Sequence, residues 1–411
     1  LDAPLYKGMD QNNFGLKIEE ENALIISAPT SFGKSFVVDA FIKMNHPNNV
    51  MIIVPTIALT DETRRRIYKK FAKEYNIITT SDEELGDKNI FIFPQERALG
   101  YANKVHELDI LIIDEFYKSS SDFEPDRSPS LVKAIIKLGK KAKQRYYLAP
   151  NISEIKDNPF TADMEFCSLD FNTVFLETHE IYKEIGKDTE RKGEKLVHLC
   201  KQLEGKTLIY AGTHPKINEV SNLILGNISE CGNSLLNNFA EWIGRNYDYN
   251  WNLTMLAKRG VGVHNGHLHR SLSQLQIFLF ELPDGLNRII STSSIIEGVN
   301  TSAKNVIVWM VNAKQKRFSL NNFSYKNVIG RAGRMFHYFV GKVYLLDSPP
   351  PEENTQLSIP FPDSILGDLN KEECTNLVTP EQEAKIDTYE AEMSSIIGAE
   401  NFIELKSTST L

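Results

Sequence analysis

Short runs of consecutive apolar residues, each closed by a polar or turn-forming residue, recur through the first part of the chain. They are ALII at 23–26, VMIIV at 50–54, NIFIF at 89–93, DILII at 109–113 and the stretch Arg145–Leu148. Apolar residues on consecutive rather than alternating positions predict strands buried on both faces. Between them lie segments read as helices: Phe36–Met44, Ile57–Tyr75, a helix after Pro94-Gln95-Glu96-Arg97, and Leu131–Lys143. Strand and helix in alternation predict a parallel sheet with helices on both faces. The rhythm lapses from about Ile152 to Gly205, where one strand at Val174–Glu177 and a helix near Glu190–Leu203 are predicted. It restarts with strands at Thr207–Tyr210, Arg288–Ser291, Lys304–Met310 and Val343–Leu346. Helices are expected up to Arg259, from the GVGVHNG run to Phe280, and from Phe323. Three prolines at 349–351 close this second α/β stretch, and one acidic helix is predicted at Pro380–Ile397. The expected division is a first α/β domain over 1–151, a bridge over 152–205, a second α/β domain over 206–347, and a tail over 348–411 with one helix. The opening at Leu1 and the short tail carry the expectation of a longer parent protein.

The first strand runs directly into Ala28-Pro29-Thr30-Ser31-Phe32-Gly33-Lys34-Ser35, and a helix-forming segment follows. Strand, glycine-containing loop ending in Lys-Ser, and helix is the order of a phosphate-binding loop. Thr30, Ser31, Phe32, Gly33, Lys34 and Ser35 are the nucleotide-binding candidates. Backbone N–H groups from Ser31 to Lys34 would cradle phosphate, Lys34 would reach the β and γ phosphates, and the Ser35 hydroxyl would hold Mg²⁺. The positive end of the following helix adds to that field. The apolar strand DILII ends in Asp114-Glu115-Phe116-Tyr117. An acidic pair at the end of a buried strand, downstream of a phosphate loop, suits a Mg²⁺ ligand (Asp114) and a group that polarises the attacking water (Glu115). In the second α/β stretch, Gly330-Arg331-Ala332-Gly333-Arg334 places two arginines three apart. Read on one helix, both would face the same side, and both are candidate arginine fingers for the γ-phosphate. These motifs together point to an ATP site in the cleft between two α/β domains.

Bulk properties narrow the class. The chain of 411 residues carries a formal net charge of −8, which argues against a basic nucleic-acid coat but leaves room for a local basic track. Such a track is offered by Arg64, Arg65, Arg66, Lys69, Lys70 and Lys73, with a solvated helix face as the plainer reading. No apolar run approaches the roughly 18 residues of a membrane span, and no secretory signal opens the chain. Four cysteines without a CxxC pair read as free thiols of a cytoplasmic protein. His264, His267 and His269 have no carboxylate or cysteine at ligand spacing, which disfavours a metal site.

The motifs and their order resemble a superfamily-two helicase with two tandem RecA-like domains. The resemblance runs from about Gln11 to Asp347: SAPTSFGKS, VPTIAL, FPQERAL, DEFY, LAPNI, LIYAGT, STSSIIEGVN and NVIGRAGR follow the family's motif order. PTS-x-GKS, the Gly262–Arg270 run and IGRAGRM are most similar to the superkiller-type DExH helicases. EGVNTSAKNVIV and LAPNI resemble bacterial helicases of anti-phage defence, such as the helicase subunit of Hachiman. Three motifs depart from the family pattern. Tyr117 stands where the family has His or Asp, Asn327 where it has Gln, and Ala149-Pro150-Asn151 where it has Ser-Ala-Thr. The resemblance implies ATP and Mg²⁺ as cofactors and nucleic acid as partner, as a single strand or a strand with a 3′ overhang moved 3′ to 5′. It also implies a possible defence effector protein as a second partner. Gln11 takes the place of the adenine-reading Gln, and Gly298 and Asn300 fall on the motif that meets the nucleotide. Pro55, Thr56 and Arg97 of the first domain, and Thr213, His264, Gly266 and Thr292 of the second, fall where the family touches the nucleic-acid backbone. The alternative is a nucleotide-gated switch that binds nucleic acid or protein without unwinding.

Overall fold

A computed structural model of the chain describes residues 23–80, 83–169, 174–294, 303–312, 319–333, 338–369 and 371–408. The chain divides into two compact units, one of Leu1–Ala28, Lys34–Phe171 and Asn354–Leu411, the other of Pro29–Gly33 and Asn172–Glu353.

Among the described residues, the first unit is built on a seven-stranded sheet. Its strands are β1 (Ala23–Ser27), β2 (Asn49–Ile53), β3 (Asn76–Ile78), β4 (Asn89–Phe93), β5 (Leu108–Ile113), β6 (Ala142–Ala149) and β8 (Glu165–Ser168). They lie in the order β3-β4-β2-β5-β6-β1-β8, and every pairing is parallel. The central runs are buried on consecutive positions, as strands covered on both faces must be: all of NIFIF is buried, as are Val50–Ile53. Helices α1 (Lys34–Asn45), α2 (Ile57–Phe71), α3 (Gln95–Tyr101) and α4 (Ser128–Gly139) fill crossovers between these strands. The predicted helix over Leu131–Lys143 ends earlier, because Ala142 already pairs with Leu108 in the sheet. β3 and β8 escaped the pattern; each is short, at an edge, and only partly buried.

The C-terminal stretch packs into this first unit. β15 (Gln356–Leu357) runs parallel to β7 (Glu154–Ile155), and a buried lysine in the middle of α4, Lys133, reaches Asp368 at 3.0 Å. One helix was expected here. The structure has Pro380–Ile397 as predicted, but also helices at Lys371–Cys374 and Ala399–Thr408. Gly398, at φ +86°, breaks the last two apart, and Phe402 then packs edge-on against Tyr389, ring centroids 5.9 Å apart. That hairpin contact is tertiary, so the weak apolar pattern of 399–408 alone did not announce a helix.

The second unit has a six-stranded sheet among its described residues, in the order β11-β12-β10-β13-β14-β9, again parallel throughout. Its strands are β9 (Phe175–His179), β10 (Thr207–Gly212), β11 (Val261–His264), β12 (Arg288–Thr292), β13 (Asn305–Val308) and β14 (Val340–Leu345). The strand expected within the bridge is β9, an edge strand paired with β14, and helix Thr189–Gln202 packs into the same core. The long helical stretch before Arg259 resolves into helices at His214–Asn227, Ser234–Asn246 and Asn252–Ala257. The fold is therefore α/β with two parallel sheets, the arrangement of tandem RecA-like domains. No helix among the described residues is long and apolar enough to cross a membrane.

Candidate nucleotide and nucleic-acid sites

The candidate phosphate loop takes the strand, turn and helix order that its residue types predict. β1 ends at Ser27, and Ala28 donates its N–H to Ala149 O at 3.0 Å. Thr30–Phe32 make one 3₁₀ turn, and Gly33 sits at φ +83°, a conformation that costs glycine nothing and other residues roughly 1 kcal/mol or more. α1 starts at once with Lys34, so the positive end of its dipole follows the loop directly. Lys34 Nζ donates to Ala28 O at 2.8 Å, which folds the cation back over the loop. α1 is pinned from behind. Asp39, nearly inaccessible, receives Arg66 and Lys70 of α2, and Arg66 also donates to Ser35 O at 3.0 Å.

Asp114 follows β5, its N–H bonded to Ile53 O at 2.9 Å. Two strand spacings separate β5 from β1, with β6 between, so their carboxyl ends lie about 10 Å apart. That gap suits a phosphate chain and its cation between Ser35 and Asp114, both hard oxygen donors. Glu115 adopts φ +55°, ψ +43°, and its N–H bonds the Asp114 carboxylate at 3.0 Å. A left-handed glutamate stores strain on the order of 1–3 kcal/mol, and such strain gathers at functional sites. Phe116 stacks on Tyr147 at 4.8 Å, and Tyr117 is buried with its ring edge-on to Phe123. Packing therefore holds the departing residue Tyr117 inside the core. Next door, Asn151 is also left-handed, at φ +48°, and Ile152 N donates to the buried Ser27 Oγ at 2.8 Å. One hydroxyl thus ties the turn after β6 to the strand that feeds the phosphate loop.

The backbone-contacting candidates of the first unit sit at neighbouring strand ends. Pro55 and Thr56 follow β2, and Thr56 caps α2 by accepting from Leu59 N at 3.2 Å. Arg97 lies on α3 after β4, with one guanidinium nitrogen bonded to Thr79 O. Arg64 and Arg65 are exposed on α2, whereas Arg66 is committed to Asp39 and Ser35. Arg66 is therefore an anchor of α1, and the open basic face begins with Arg64 and Arg65. Sequence reading passed over Arg127. It lies in the polar loop before α4, and its guanidinium bonds Glu96 and Pro55 O. No local pattern marks such a contact, which spans 72 positions.

In the second unit, His264 closes β11 and Thr292 closes β12; β10, whose end leads to Thr213, pairs with β12. His264 is buried, its Nδ1 lies 3.0 Å from Ser294 Oγ, and that hydroxyl lies 3.2 Å from Thr292 Oγ1. Burial pushes the imidazole down to about 4, so it is neutral at physiological pH. Gly266 is exposed just beyond β11. The helix carrying the arginine motif, Asn322–Ile329, ends before Arg331. Arg331 O instead accepts from Ala303 N at 3.0 Å, Ala303 O accepts from Gly333 N at 2.7 Å, and Gly333 turns at φ +79°. The reading of Arg331 and Arg334 on one helix is thus corrected: at Gly330 the chain leaves the helix to bridge alongside Ala303. Gln11, Gly298, Asn300 and Arg334 lie outside the described residues. Within them no cluster of His, Cys, Asp and Glu is arranged to hold a metal on its own, and none of the four cysteines is in a disulfide.

Residues 9–149 match the family of DEAD/DEAH box helicases. Over 378 residues the chain is 32% identical to Anti-bacteriophage protein B of Escherichia coli (strain K12), covering 89% of this chain and 50% of that protein. It is 26% identical over 200 residues to the human Probable ATP-dependent RNA helicase DDX60-like, covering 45% of this chain and 11% of that one. A third similarity, 21% over 372 residues, is to DNA polymerase theta of Caenorhabditis elegans, covering 80% of this chain and 23% of that one. The chain thus spans half the length of the first of these relatives and less of the others.

Proposed function

We propose that this chain, which carries a DEAD/DEAH box helicase domain over residues 9–149, is an ATP-dependent helicase or translocase that moves 3′ to 5′ on single-stranded nucleic acid and acts in anti-phage defence. The observation that carries the proposal is the strained Glu115, set directly after Asp114 at the end of β5 and two strands from the phosphate loop. The similarity to Anti-bacteriophage protein B supports the defence role, and a further effector protein is assigned as partner within that role.

Bound ATP with Mg²⁺ supplies charge neutralisation on the β and γ oxygens. Ser35 and Asp114 are the residues to hold the cation, and Thr30–Ser35 with the start of α1 hold the phosphates. Lys34 exchanges Ala28 O for phosphate oxygen, since Ala28 O is a neutral acceptor and phosphate a charged one. Glu115 polarises water, and Arg331 and Arg334 stabilise charge that develops on the γ-phosphate. Gln11, Gly298 and Asn300 are assigned to the base and ribose. Pro55, Thr56, Arg64 and Arg97, and Thr213, His264, Gly266 and Thr292, are assigned to the sugar–phosphate backbone, which hydroxyls and N–H groups contact without reading sequence.

The deciding experiment is ATP hydrolysis with and without single-stranded DNA and RNA. Stimulation by one polymer is expected and would name the substrate. Strand binding that ATP controls without turnover would return the switch reading, and no response to either polymer would remove the helicase reading.

A further inference from the structure

We propose that Arg127 is a positioning residue that sets the spacing of two strand-gripping elements in the first unit and thereby makes ATP turnover respond to nucleic acid. This rests on the helicase reading above. Arg127 Nε and Nη2 donate to Glu96 Oε1 and Oε2, each at 2.8 Å, in a two-pronged ion pair. Its third nitrogen, Nη1, donates to Pro55 O. Pro55 begins the turn that Thr56 caps, and Glu96 is the immediate neighbour of Arg97 on α3. One guanidinium therefore joins the loop after β2 to the helix after β4. These strands are paired neighbours, so their carboxyl ends stand about 5 Å apart and can meet the same backbone. Glu96 holds the Arg127 guanidinium firmly in its charged form. Only arginine presents a planar fork with a further donor to spare.

The other side of Arg127 leads back to the acidic pair. Lys118 N bonds Glu115 O at 3.0 Å, Ser120 N bonds Tyr117 O at 3.1 Å, Glu124 N bonds Ser120 O at 3.0 Å, and Ser128 N bonds Glu124 O at 2.9 Å. Inside this series Tyr117 packs on Phe123 and Lys118 pairs with Glu124 at 3.2 Å. The segment is a continuous hydrogen-bonded path from strained Glu115 to the clasp. A strand that grips both elements at once favours one spacing between them. The clasp holds that spacing beforehand, which lowers the ordering cost of binding.

The test is ATP hydrolysis by the whole chain, titrated with an unstructured oligo-dT and an oligo-U, with strand affinity followed in parallel by fluorescence anisotropy. Arg127→Gln should leave the rate without nucleic acid within about twofold of the parent. It should raise the half-activating strand concentration about tenfold, the scale of one charge-assisted bond plus one partly exposed ion pair. Arg127→Lys, which can keep one bond but not the fork, should fall between. Glu96→Gln should shift the curve in the same direction, and the double variant Glu96→Gln/Arg127→Gln should be no worse than Arg127→Gln, because the clasp is lost once. If Arg127→Gln melts well below the parent, Glu96→Gln carries the test. Activation curves that overlay the parent's overturn the proposal for Arg127 alone. So does an equal loss of basal and stimulated rates, which marks a merely structural role. A parent chain that binds neither polymer overturns the helicase reading together with this one.

Discussion

His264 lends itself to a quantitative prediction. The residue is 7% exposed, its ring is bonded to Ser294, and burial pushes it from an ordinary value of 6.5 down to about 4. A folded value below the unfolded one means that the unfolded chain binds the proton more readily. The contribution is then intact above the unfolded value and lost as pH falls from 6.5 toward 4. Between pH 7 and pH 5 the folded second unit should lose about 2 kcal/mol through this one group. All three tryptophans, Trp242, Trp251 and Trp309, lie in that unit, so tryptophan fluorescence during urea unfolding reports on it selectively. The parent should lose about 2 kcal/mol more between the two pH values than His264→Gln, which has no titrating group there. Comparing the two losses cancels what the substitution does to packing. Equal losses in parent and variant would show that His264 takes up its proton in the folded state as easily as in the unfolded one. The buried, neutral role argued for it at the end of β11 would then fall.

Three further outcomes are expected. Glu115→Gln should keep ATP binding measurable by fluorescent-nucleotide titration while removing turnover, and Lys34→Ala should remove both; hydrolysis at the parent rate by the first variant would strip Glu115 of its role. Charge reversal at Arg64 and Arg65 should weaken single-strand binding and flatten its logarithmic salt dependence by about 0.7 per lost phosphate contact, whereas an unchanged slope returns these residues to an ordinary solvated face. Asp39→Ala should lower the stability of the first unit by roughly 3 kcal/mol, because it strips a partly buried Arg66 of its carboxylate and loosens the start of α1. Circular-dichroism melting checks that, and a melt unchanged from the parent would refute it.

Much of this protein was legible in its sequence because the signals are local. A short apolar run such as NIFIF, closed by Pro94, reads as a strand covered on both faces, and the structure has it at the predicted position. The glycine at 33 makes its left-handed turn within one loop, so the strand, loop and helix of a candidate phosphate loop could be read without any tertiary knowledge. The Pro380–Ile397 helix carries its own start signal, a Thr379–Gln382 capping box, and its boundaries were met.

What escaped depends on residues distant in the chain. Nothing near Arg66 says that it will seek Asp39, 27 positions away, rather than solvent, nor near Arg127 that it will reach Pro55. Lys133 looks like a surface lysine until Asp368, 235 positions on, closes over it. The helix at Ala399–Thr408 forms by packing against its neighbour, and Arg331 leaves its helix because Ala303 offers backbone partners. Periodicity and motif spacing thus determined the two parallel sheets and placed the candidate residues at their strand ends. Which charges became anchors and which stayed open to a ligand was decided only in three dimensions. A charged side chain pairs with whatever opposite charge or carbonyl the fold brings within hydrogen-bond reach, and that neighbour is fixed by topology, not by sequence distance.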